Sequence, residues 1–156
     1  MEYEPSKPSL EFLFRVEARV AAPKSLGRTE AGERRIVDIL GGTVEGPNLK
    51  GEVLPGGADW QIIRPDGSAV LDARYTIQAA DGAFIYVRNY GIRHGPPEVL
   101  ARLMSGEQVD PASYYFRSSP VLETGAPQHA WMNNIIGAGS ATRSRDRVVI
   151  DFYAVR

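Results

Sequence analysis

The sequence predicts an all-β fold: a closed or nearly closed antiparallel β-barrel with one short helix. Three observations carry this. Short runs in which apolar and polar residues alternate recur along most of the chain, the period-two pattern of half-buried strands. Two Asp-Gly pairs, Asp66-Gly67 and Asp81-Gly82, separate three such runs, a strong short-range hairpin signal. The 16 glycines and 11 prolines suit many tight turns and not a helical protein.

The elements follow in order. Residues 1–9, with Pro5 and Pro8, read as a loose arm. Leu10–Val20 alternates cleanly except at Leu13 and reads as a long strand, with Leu10, Phe12, Phe14, Val16, Ala18 and Val20 on its buried side. Residues 21–34 read as a polar loop. Arg35–Leu40 reads as a strand ended by Gly41-Gly42, and Gly51–Leu54 as a short one. Trp60–Arg64, Ala69–Ala79 and Ala83–Tyr90 form a meander. Pro97–Met104 is the one good helix: Pro97 suits a first helical position, Glu98 the positive end of the helix dipole, and Gly106 the stop. Ser113–Glu123, His129–Ile136 and Val148–Val155 complete about nine strands. A small unit with so many strands hides its edges best by closing on itself. Closure at about eight strands leaves room for packed side chains or one small ligand, as in lipocalin or allene-oxide-cyclase barrels. No linker or repeat divides residues 1–156, which read as a single barrel domain.

Composition excludes several classes. A net charge of −1 and a pI near 6.1 give no general attraction to nucleic acid or anionic membranes. The absence of cysteine removes disulfides, thiol nucleophiles and thiolate metal sites. No apolar run approaches a membrane helix, and the first residues lack a signal-peptide pattern, so a cytoplasmic protein is expected. His94 and His129 stand far apart with no partner at metal-ligand spacing. No metal and no cofactor is expected.

Candidate site residues come from the meander. If both Asp-Gly loops are two-residue turns, Asp59 faces Arg74 and Arg74 faces Asn89. One row then holds a carboxylate, a guanidinium and a carboxamide. Lining a cavity, Asp59 would transfer protons while Arg74 and Asn89 hold an anion or enolate. Facing water, the row is a weak surface pair. A second cluster places Trp60 and Trp131 as pocket walls, Asn133 or Asn134 as hydrogen-bonding groups, and Arg117, beside Tyr115, as an anion clamp. Two glycine-rich stretches carry no nucleotide chemistry. "IIGAGSATR" at 135–143 reads as a hairpin, with no helix or second parallel strand after it. "GGTVEGPNLKG" lacks the Gly-Lys-Ser/Thr end of a phosphate loop, and its glycines suit corners where a barrel strand bends.

The runs "ILGGTVEGPNLKGEVLPGGADW", "DGAFIYVRNYG" and "YFRSSPVLETGAPQHAWMNN" resemble the uncharacterised protein family numbered 0311, the domain of unknown function 3237, over nearly the whole chain. The resemblance implies a small bacterial β-barrel that usually self-associates. It places the family's shared residues on Gly41, Gly42, Gly51, Gly57, Asp59, Trp60, Asp81, Gly82, Asn89, Gly91, Arg117, Trp131 and Asn133. It supplies no function. The residues themselves suggest a small-molecule-binding barrel. The leading expectation is a cofactor-independent isomerase, cyclase, lyase or hydratase acting on a small aromatic or carboxylated metabolite. The alternatives are a non-catalytic ligand-binding protein and a purely structural, self-associating barrel. A homodimer or larger assembly is expected, because only one face of the sheet can line a cavity.

Overall fold

The computed structural model describes residues 1–156. Its ten strands are β1 Leu10–Val20, β2 Lys24–Thr29, β3 Gly32–Glu45, β4 Gly51–Val53, β5 Gly57–Ile63, β6 Ala69–Ala79, β7 Phe84–His94, β8 Tyr115–Glu123, β9 Ile136–Arg143 and β10 Arg147–Val155. All pairings are antiparallel, in the order β1–β10–β9–β8–β7–β6. β4 and β5 both bridge β6 to β3, so they share one place in the wall. β3 then pairs with β1 and closes an eight-stave barrel. β2 folds back on β3 as an exposed hairpin arm. Helix α1, Pro97–Met104, is the expected one, with Leu100 and Leu103 buried beneath it.

The closing seam needs a residue without a side chain. Gly42 pairs with Ala18, and a Cβ there would strike the carbonyl oxygen of Glu17 and the Cα of Ala18. The glycine pair therefore lies inside β3 and does not end it, because the strand must run on to meet β1. Two packed clusters fill the interior. The larger includes the stacked rings of Phe14 and Phe152, 4.8 Å apart, with Leu13, Ile77, Ile85, Val87 and Met132. The smaller sits under α1 and joins Leu100 and Leu103 to Ala69, Leu71, Tyr114 and Phe116.

Several local expectations change for identifiable reasons. β1 carries a bulge between Phe12 and Phe14, so Leu13 and Phe14 are both buried while Leu10 and Phe12 turn outward. A single extra residue reverses which alternate residues face the core. Residues 24–29, expected in a loop, form β2. Residues 127–134, "PQHAWMNN", form a 3₁₀ segment instead of the expected strand. "IGAGSATR" is strand β9 and not a hairpin; its Gly137 and Gly139 let β8 approach closely at Pro120 and Ser118.

The Asp-Gly loops hold three residues each, not two. Ile62 pairs with Val70 and Ile63 with Ala69, and the next pair inward is bonded from the Arg64 N–H to the Ser68 carbonyl. The second loop matches, with Ala79 N–H bonding to the Ala83 carbonyl. A two-residue type I′ turn needs φ > 0 at both positions. Here only Gly67 (φ 86°) and Gly82 (φ 91°) adopt it, and no non-glycine residue does. Asp66 and Asp81 instead accept the N–H groups of Ser68 and Ala83 on their carboxylates, tightening the three-residue form.

The seam yields a prediction. Gly42→Ala should destabilise the protein by about 1–3 kcal/mol, the usual range for overpacking, in urea unfolding. Gly125→Ala, where an added Cβ meets nothing, should change stability little. Equal effects at the two positions would contradict the account of closure.

Candidate functional site

The loop lengths decide what faces inward. With a three-residue loop, Asp59 pairs with Ala73, and Arg74 with Ala58. The second three-residue loop pairs Ala73 with Asn89, and Arg74 with Arg88. The row is thus Asp59–Ala73–Asn89, pointing in, and Arg74 is on the outer wall. This corrects the expected Asp59–Arg74–Asn89 row: each one-residue change in loop length turned the facing of one strand relative to the next. Arg74 and Arg88 instead flank Asp72 at 3.7 and 3.6 Å on the surface.

Asp59 and Asn89 line an internal cavity of about 50 Å³ with Tyr75, Arg93, Ser118 and Arg143, among mostly apolar walls such as Leu71, Phe116 and Ile150. That is room for a few water molecules or the end of a small ligand. Arg93, Arg143 and Val20 also line a vestibule of about 570 Å³ outside it, bordered by Arg35, Leu103 and Met104. Ligand pockets commonly have this size. The neck between the two spaces is therefore walled by guanidinium groups.

Asp59 is held in a particular way. The β5–β6 ladder lapses between the pairs Asp59–Ala73 and Ile62–Val70. The Asp72 N–H donates into the gap, to Asp59 Oδ1 at 3.0 Å. Gln61 Nε2 donates to Asp59 Oδ2 at 2.9 Å, and Arg35 Nη2 donates to Gln61 Oε1 at 2.9 Å. Burial raises the Asp59 pKa above the ordinary carboxylate value, against the hydrogen bonds from Gln61 and Asp72 and the charges of Arg93 and Arg143. Burial, reinforced by repulsion from Arg143 and Arg35, brings Arg93 down to about 10. Arg35 and Arg143 are lowered too, chiefly by burial. All three remain cations at neutral pH.

Three further polar atoms at the cavity have no partner: Tyr75 Oη, Asn89 Oδ1 and Ser118 Oγ. Native proteins leave few buried polar atoms unsatisfied, so these three offer hydrogen-bonding capacity to water or to a ligand in the cavity. Burial also raises the Tyr75 pKa, keeping its hydroxyl a neutral donor.

The second expected cluster is not assembled. Trp60 is on the outer wall, 46% exposed. Trp131 packs against the core from the 3₁₀ segment. Asn133 accepts the Thr124 N–H and donates to the Thr124 carbonyl, both at 2.9 Å, which makes it a brace for that segment. Asn134 is exposed, and Arg117 points outward across the Tyr115 ring. Sequence reasoning missed Arg35, Gln61, Tyr75, Arg93, Ser118 and Arg143. Arg93 was within reach: residues 85, 87, 89, 91 and 93 share one face of β7, but the strand was expected to end at Tyr90.

Known proteins agree with this architecture. Residues 8–155 match the family described as "Protein of unknown function (DUF3237)". A relative from Rhodopseudomonas palustris is 48% identical over 95% of this chain and 98% of its own. The crystal structure of the conserved protein of unknown function from that organism superposes with a TM-score of 0.92, at 45% identity over 97% and 100% of the two chains. A "beta-barrel like protein" from Acinetobacter baumannii superposes with 0.87, at 41% identity over 99% and 100%. A relative from Penicillium herquei named a hydroalkoxylation enzyme is 35% identical over 97% of this chain and 86% of its own.

The raised Asp59 pKa gives a signed prediction. A carboxyl group whose pKa rises on folding favours the folded state while protonated, and that contribution is lost as pH climbs through the raised value. Wild type should therefore lose stability relative to Asp59→Asn as pH rises above the ordinary carboxylate value of about 4. Urea unfolding of both proteins across the series checks this, and a difference that stays flat or runs the other way would contradict it.

Proposed function

The chain belongs to the DUF3237 family, and for it we propose a cofactor-independent enzyme that moves a proton within a small organic metabolite bound in the barrel. One observation carries the reading: a single carboxyl group, Asp59, lies in a largely apolar cavity beside guanidiniums and unpartnered polar atoms. Desolvation poises such a group to take and return protons near neutral pH. As a carboxylate, Asp59 takes a proton from an acidic O–H or C–H of the ligand. The oxyanion or enolate that results is stabilised by Arg93 or Arg143, with Tyr75 Oη as a neutral donor. Asp59 then returns the proton at another carbon, giving an isomer, a cyclised product or an adduct. Hydroalkoxylation, the chemistry in the Penicillium relative's name, adds an O–H across a C=C bond. It likewise relocates a proton with no net redox change, so it fits the same machinery. Non-catalytic binding in this cavity is the rival reading.

Comparing wild type with Asp59→Asn in a bacterial metabolite extract tests the proposal. Wild type should convert at least one metabolite to an isomer or hydrated product, carrying deuterium when the reaction runs in D₂O. The variant should do so at least about 100-fold more slowly. An equally active variant, or no metabolite consumed by wild type, would refute the catalytic role.

We also propose self-association through the outer wall of β5–β8. Trp60, Phe84, Tyr86, Tyr90 and Val121 are exposed on these strands, and exposed apolar residues gathered on one wall suit contact with a second copy. Sedimentation at high micromolar concentration should show a dimer or larger species, and a pure monomer would reject this.

A further inference from the structure

We infer that the guanidinium neck of the barrel is a carboxylate-binding site, and that the ligand is therefore a small organic acid. The inference rests on reading the barrel interior as a ligand site and goes on to name the ligand's class.

Arg35 and Arg93 are only 5% and 7% exposed, and Arg143 is half-buried beside them. None of the three takes part in any of the molecule's eight ion pairs. Their contacts are neutral. Arg35 donates to Gln61 Oε1 and toward Met104 Sδ, and its Nε has no partner. Arg93 lies 5.4 Å over the Phe116 ring. Arg143 donates its Nε to the Ser144 carbonyl. Buried cations are ordinarily paired, because removing them from water is costly. Here three stand close enough to repel one another, with Asp59 as the one carboxylate in the inner cavity.

The rim sets the size of the missing charge. Glu33, Asp146 and Arg145 border the vestibule. With Asp59 ionised, the form that takes a proton from the ligand, cavity and vestibule together carry four guanidiniums against three carboxylates. One negative charge neutralises them, which matches a carboxylate better than a phosphate dianion. Guanidinium forks bind a carboxylate bidentately, and the inner walls are mostly apolar, suiting the hydrocarbon body of an organic acid.

The probes are benzoate, benzyl alcohol as its neutral counterpart, and inorganic phosphate, each followed by calorimetry and thermal melting. Benzoate should bind saturably and raise Tm. Benzyl alcohol and phosphate should bind at least about tenfold more weakly. Arg93→Met and Arg143→Met should each weaken benzoate at least about tenfold, while Arg74→Met on the outer wall leaves it unchanged. Without ligand, the two inner variants should melt at or above the wild-type temperature, because each removes an unpaired buried cation. A purely structural role predicts lower melting instead. If Arg93→Met does not fold, the less buried Arg143 carries the test. Benzoate no better than benzyl alcohol, phosphate preferred over benzoate, or full binding by the inner variants would each overturn the assignment. Benzoate binding without any Asp59-dependent turnover would refute the catalytic reading alone. Asp59-dependent turnover without benzoate binding would refute the carboxylate site alone.

Discussion

Left-handed backbone at two glycines, Gly67 and Gly82, determines which side chains of the β5–β6–β7 meander enter the barrel. Each glycine is the one residue of its loop that takes φ > 0, so each loop closes with three residues. Side chains alternate with period two, so one loop residue more or less exchanges the inner and outer faces of a whole strand. In the observed register Asp59, Ala73 and Asn89 share an inward row. Small Ala73 at its centre leaves open the space that an arginine would have filled. The cavity is thus a consequence of turn geometry before it is one of side-chain chemistry.

The same register leaves the interior electrically unfinished. An arginine paired directly with Asp59 would hold it as a weak base. The guanidiniums stand instead at the neck, on β3, β7 and β9, and act on Asp59 from a distance. The closest partners of Asp59 are the neutral donors of Gln61 and Asp72. Burial therefore outweighs these hydrogen bonds and the more distant guanidinium charges, and the carboxyl pKa rises. Unpartnered atoms on Tyr75, Asn89 and Ser118 add unsatisfied hydrogen-bonding capacity. Left without partners, these groups would cost stability.

Much of the fold was legible in the sequence. Period-two runs located most strands, and Pro97, Glu98 and Gly106 framed the helix. Closure followed from the need to hide so many edges. What escaped depended on single residues of register. Leu13 broke the alternation visibly, yet its meaning as a bulge required β10 beside it. Asp-Gly marks a hairpin without stating whether aspartate must share the positive φ. Asp59 and Asn89 reached a common inward row because two equal errors cancelled across β6, whereas Arg74, on the strand between, went to the wrong face. "HAWMNN" has strand-like composition but folds as a 3₁₀ turn, braced where Asn133 bonds the Thr124 backbone nine residues earlier, a contact that alternation of apolar and polar residues does not encode.

The central claim is that the barrel interior is a ligand site organised by Asp59 and the guanidinium neck. A high-resolution crystal structure of the protein grown with a small aromatic acid tests it most directly. The account predicts density for a carboxylate between Arg93 and Arg143, with the ligand reaching Asp59 and a polar group meeting Tyr75 or Asn89. A barrel that excludes the acid, or Asp59 turned onto one of the arginines in a closed ion pair, would contradict it.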